Sequence, residues 1–99
     1  MNKFLSYANI SNNHVDLPLG TTSFALAIVY SQWIIPDQFS ATLDGADISD
    51  LLTPAPDSSK VVTIRLQPGR NVLKLSVEGY VPSRTARDAD QIVFLVEGG

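Results

Sequence analysis

The chain has 99 residues, a formal net charge of −3, one histidine and no cysteine. That length bounds it to one domain, the missing cysteines exclude disulfides and thiolate zinc sites, and seven scattered Lys and Arg exclude the basic stripe of a nucleic-acid binder. Charged residues are 17% of the chain, against roughly 25% in an average domain, so the surface is weakly defended against association.

Residues 1–13 read as an N-terminal arm or first edge strand, in which the apolar cluster Phe4, Leu5, Tyr7 and Ile10 runs into Ser11-Asn12-Asn13. The first nine residues lack the apolar stretch of a signal peptide. Either the protein is not secreted by that route or the chain is a piece of something longer. The second is preferred, because an isolated sandwich without a site is more often a module. Residues 14–99 read as the main domain. Val15 and Leu17 mark a short edge strand ended by Pro18 and Gly20. Thr22 to Tyr30 is the first strong strand. Its apolar run, Phe24 to Tyr30, falls far short of the roughly 20 residues of a membrane span.

Pro36 and Asp37 interrupt the chain before a strand over 39–43, which Asp44-Gly45 closes with a strong turn signal. Ile48, Leu51 and Leu52 form one helical turn or a brief strand, and 53–60 is a loop. Strands follow at about 61–66, 71–78 and 91–96, with Gly79 to Asp90 as the longest polar connection. About seven strands, punctuated by turn residues, predict an all-β fold: an antiparallel β-sandwich with Greek-key connections. A small OB-like barrel is the competing architecture.

The strand faces carry the most physical information. In 71–78, Leu73, Leu75 and Val77 alternate with Lys74, Ser76 and Glu78, which predicts one face in the core and one in water. Two strands are apolar on both faces. Phe24, Leu26, Ile28 and Tyr30 oppose Ala25, Ala27 and Val29; Ile92, Phe94 and Val96 oppose Val93 and Leu95. A sandwich has one interior, so Ala25, Ala27, Val29, Val93 and Leu95 form a candidate apolar patch of the kind that marks contact surfaces. Phe4, Leu5, Tyr7 and Ile10 join them as a candidate interface, because an apolar arm can add as a strand to a neighbour's open sheet edge.

From Phe39 onward the chain resembles the immunoglobulin-like accessory β-sandwich domains of bacterial and archaeal extracellular proteins. The matching stretches are Phe39 to Leu52, Leu66 to Gly79 and Arg84 to Phe94, within about residues 39–96. The resemblance implies an immunoglobulin-like sandwich, an extracellular or cell-surface location, and a role as spacer, adhesive module or filament subunit.

Acidic residues gather at two corners, Asp44, Asp47 and Asp50, then Asp88 and Asp90. Ca²⁺ takes six to eight oxygens, and neither corner offers a full set, so a weak Ca²⁺ site at Asp44/Asp47 or Asp88/Asp90 is the lesser reading and no metal is expected. Asp at turns is explained by bonds to its own backbone, and Asp88 has Arg70, Arg84 and Arg87 as available partners. His14 lacks a nucleophile or a second ligand and reads as a surface-loop residue. Trp33, with Tyr30 nearby, reads as a core anchor or interface residue ahead of a sugar platform. Asn9-Ile10-Ser11 is a glycosylation triplet of a kind that arises often by chance.

The sequence therefore predicts a non-enzymatic structural or adhesive domain without a cofactor. It is expected to be a self-associating surface or filament subunit, its partner a second copy or a neighbouring domain. The alternative is an accessory spacer or a carbohydrate- or calcium-binding module.

Overall fold

A computed structural model describes residues 4–98 of the chain; residues 1–3 of the expected arm lie outside the described residues. Eight strands and one helical turn follow in order: β1 (Leu5–Tyr7), β2 (His14–Leu17), β3 (Ser23–Tyr30), β4 (Ile34–Leu43), β5 (Ala46–Asp47), α1 (Ser49–Leu52), β6 (Ser58–Arg65), β7 (Gly69–Val81) and β8 (Arg84–Val96). They form two sheets, β1-β3-β6 and β2-β8-β7-β4-β5, in which β2 pairs parallel to β8 and every other pair is antiparallel.

The period-two patterns decide which faces meet. Leu26, Ile28, Val62 and Ile64 from the first sheet join Leu73, Leu75, Val77, Ile92 and Phe94 from the second in one core. Each such side chain contributes roughly 1.5–3 kcal/mol by leaving water. Lys74 is exposed and Ser76 and Glu78 are half-buried on the opposite face, as the alternation predicts. The result is an all-β sandwich of two facing sheets.

Local chemistry fixes the turns. Asp44 and Gly45 both take positive φ, the conformation of a two-residue hairpin turn, and join β4 to β5. The single helical turn α1, Ser49–Leu52, follows Ile48. Its last carbonyl, on Leu52, accepts the buried Tyr30 hydroxyl at 2.6 Å.

Three expectations about the fold change. Gly79 to Asp90 is not a connection: β7 and β8 run through it as one long hairpin whose turn is Pro82-Ser83. The segment is polar because its outer face and tip are in water, while Gly79, Val81, Ala86 and Asp88 carry the inner face. Pro36 and Asp37 do not separate strands. They sit in a register slip inside β4, between Ile35 and Phe39, where a missing proline N–H costs the ladder nothing. The loop ends before Ser58 rather than at Lys60, since β6 pairs with β3 from Tyr30↔Ser58 onward.

Candidate functional site: surfaces and the N-terminal strand

The N-terminal segment is part of the sandwich. β1 pairs with β3 in the register Leu5↔Tyr30, and Phe4 and Leu5 are buried in the chain's own core. Asp88 holds them there. Its carboxylate, buried on the inner face of β8, accepts the Phe4 N–H at 2.7 Å and the Leu5 N–H at 2.9 Å. The expected pairing of Asp88 with an arginine is therefore corrected: the side chain points inward, and Arg87 on the other face lies 3.7 Å from Glu78 instead. Two residues on, Asp90 accepts the Tyr7 hydroxyl at 2.7 Å. Burial, then the hydrogen bond to Asp90, push the Tyr7 phenol far above its ordinary pKa. The Phe4 ring lies over Gly79, where a Cβ would stand 2.7 Å from ring carbons.

Sequence reasoning missed this arrangement. The only signal was Asp88 and Asp90 at i, i+2, which shares one strand face, opposite an apolar segment with free amides. As an arm offered to a neighbour, Phe4 and Leu5 are ruled out by their burial, while Tyr7 and Ile10 are half-buried against the same core. Asn9 completes the strand: its amide donates to the Ala25 carbonyl at 2.7 Å and accepts the Ala27 N–H at 3.0 Å, as an extra backbone unit would.

The remaining interface candidates do not form one patch. Ala25, Ala27 and Val29 lie on the outer face of the three-stranded sheet, whereas Val93 and Leu95 lie on the outer face of the five-stranded sheet beside β2, paired with His14 and Asp16. Around Ala25, Ala27 and Val29 the register adds Ser6, Ser59, Val61 and Thr63, with Val61 65% exposed. No charged side chain stands among them, and Arg65 appears only at the end of β6. β6 is also an outermost strand of its sheet.

At the first acidic corner, Asp44 and Asp47 are engaged locally. Asp44 accepts the Val72 N–H at 2.8 Å, and Asp47 accepts the Ser49 amide and hydroxyl at 2.9 and 2.7 Å. The Ser49 hydroxyl, then its amide, hold the Asp47 carboxyl below the usual range. Among the described residues no group of three or more His, Asp or Glu is placed to hold a metal. His14 is on the exposed strand β2, not in a loop, with its Nε2 3.1 Å from Asp16. The two line an open groove of about 540 Å³ with Ser11 and Phe24.

Trp33 is 54% exposed, so the core reading of this residue is overturned. Tyr30, its expected companion, is buried, and burial pushes its phenol up to about 12. The neighbour that the fold supplies is Tyr80, 56% exposed.

In comparisons with protein-family models, curated proteins and solved structures, nothing matches this chain. Among the described residues, no helix is long and apolar enough to cross a membrane.

Proposed function

We propose that the chain is a non-enzymatic, immunoglobulin-like β-sandwich module acting in structure or adhesion at the cell surface or outside the cell, in contact with further copies of itself. The immunoglobulin-like reading rests on the strand order. The N-terminal segment contributes to both sheets, β1 pairing with β3 and β2 running parallel to β8, and the other sheet carries the β4-β7-β8 succession.

The observation that carries the functional reading is the outer face of the three-stranded sheet, which between Ser59 and Thr63 of β6 bears no charge and meets Arg65 only at its end. With eight residues in each of β3 and β6 and three in β1, at about 3.3 Å per residue and about 4.8 Å per strand, the face covers roughly 300 Å². A standard stable interface takes about 800 Å² from each partner. The face thus suits a weak, repeated contact rather than a tight dimer. Val61, midway along the edge strand β6, is its most exposed large apolar side chain, and replacing it with lysine places a charge in that contact. Sedimentation of the wild-type chain and Val61→Lys over a range of concentrations tests the reading.

The accessory-spacer alternative is favoured by a separate observation. Phe4 lies against Gly79 at one end of the β7–β8 hairpin, and Val96, two residues before Gly98, pairs with Gly69 at the other. The molecule measures 51 Å along its longest axis, so a spacer would add nearly that full length between its neighbours.

A further inference from the structure

Large aromatic side chains dominate the core of a small domain, because each removes roughly 150–250 Å² from water. Tyr30 and Phe94 follow this rule, while Trp33 and Tyr80 remain more than half exposed. The ladder puts the two together. Ile34 pairs with Gly79, and the Tyr80 N–H donates to the Trp33 carbonyl at 2.8 Å. Opposed residues of an antiparallel pair share a face. Ile34 and Gly79 occupy the inner face, so Tyr80 projects from the outer one, and the exposed Trp33, in the turn just before β4, is joined to it by this backbone bond.

Polar groups surround them. Thr85 on β8 faces Tyr80. One row along the same face are Ile35, Glu78 and Arg87, with Arg87 Nη2 3.7 Å from Glu78 Oε1. The Arg87 Nη1 donates to the Ser76 hydroxyl, which restricts the guanidinium. The register slip in β4 adds Pro36, Asp37 and Gln38, all exposed, beside Ile35. Slips of this kind re-aim side chains and recur next to functional sites.

We infer that this surface binds carbohydrate: the rings of a neutral oligosaccharide stack on Trp33 and Tyr80, and its hydroxyls bond to Glu78, Arg87 and Thr85. A pyranose ring has an apolar C–H face and a rim of hydroxyls that both donate and accept. It therefore needs flat apolar faces bordered by fixed donors and acceptors on an open surface, which is what these residues provide. A protein contact of comparable strength needs its aromatics at the centre of a patch depleted of charge, and here the aromatics border an ion pair. The site is independent of the contact face proposed above, which lies on the opposite sheet.

Trp33 is the only tryptophan of the chain, so its fluorescence reports on this site alone. The intact protein is titrated with cellohexaose, xylohexaose, mannohexaose and chitohexaose. At least one is expected to shift the emission saturably, with a Kd on the order of 1 mM. Tyr80→Ala keeps the reporter and should weaken that binding about tenfold with an unchanged melting temperature, since the side chain is exposed. Amide resonances of Thr85 and Arg87 should move in the same titration. No saturable change with any of the four sugars, at concentrations about tenfold above that Kd, overturns the inference, as does binding indifferent to Tyr80→Ala. Self-association abolished by Trp33→Ala and Tyr80→Ala also overturns it, because the pair is then a protein contact.

Discussion

Asp88 shows how one side chain commits the N-terminal segment to its own domain. A buried carboxylate is costly unless its oxygens are bonded, and here it accepts two backbone amides from a segment more than eighty positions away. Asp88→Ala should cost about 1–3 kcal/mol for each amide left without an acceptor. Asp88→Asn should cost less, because its amide oxygen still accepts. Denaturant unfolding measures both, and hydrogen exchange at Phe4 and Leu5 should accelerate in the alanine variant. A Asp88→Ala protein within about 0.5 kcal/mol of wild type would show that the carboxylate does not hold the strand. Tyr30 gives a second residue-level test. Its folded pKa is raised to about 12, so its contribution is intact below the ordinary tyrosine value and is lost as pH rises toward 12. Stability should fall above roughly pH 10 by up to about 1.4 kcal/mol per pH unit for each such tyrosine. Tyr30→Phe should flatten that slope in alkaline melting curves.

Among the elements, the β7–β8 hairpin carries most of the architecture, since its strands contribute Leu73, Leu75, Val77, Ile92 and Phe94 to the core. Leu75→Ala should cost about 2–5 kcal/mol in denaturant unfolding, through lost burial and the cavity left behind. A loss below about 0.5 kcal/mol would contradict the assigned face. This half of the hairpin was legible in the sequence, because alternation of Leu and Val with Lys, Ser and Glu allows one orientation of the strand. The tip was not. Residues 79–90 look polar because the inner face there is built from Gly79 and Asp88, which read as turn and loop residues until a partner is known. Gly79 is small because the Phe4 ring occupies the space of its side chain, and Asp88 is acidic because two amides need an acceptor. Both reasons lie in a segment distant in sequence, so no local window contains them. Trp33 misled for the converse reason: a single large aromatic is a core residue by composition, and only its place in the turn before β4, exposed beside Tyr80, shows it standing outward.

At the scale of the whole molecule, the sandwich class was readable from strand rhythm, but the apolar surplus was assigned to one patch when it lies on two opposite faces. Parity along a strand says that Ala25 and Leu95 both leave the core; it does not say that their sheets face away from each other. The pairing of β1 with β3 also changes what truncation does. Removing residues 1–10 exposes the edge of β3, vacates the space filled by Phe4 and Leu5 and leaves Asp88 buried without those amides. The truncated chain should lose several kcal/mol of stability, rather than keep its fold and lose oligomers. A truncated chain with the wild-type unfolding midpoint would contradict this assignment. The central claim is that the module associates with its own copies through the outer face of β1-β3-β6, around Ala27 and Val61. Sedimentation velocity of wild type and Val61→Lys, from micromolar to millimolar chain, tests it most directly. The account predicts reversible, weak association of the wild type at the upper end of that range. It predicts loss of association in Val61→Lys, with a melting temperature close to wild type because Val61 is exposed. A wild-type chain that sediments as a monomer throughout, or association unchanged by the lysine, would contradict it.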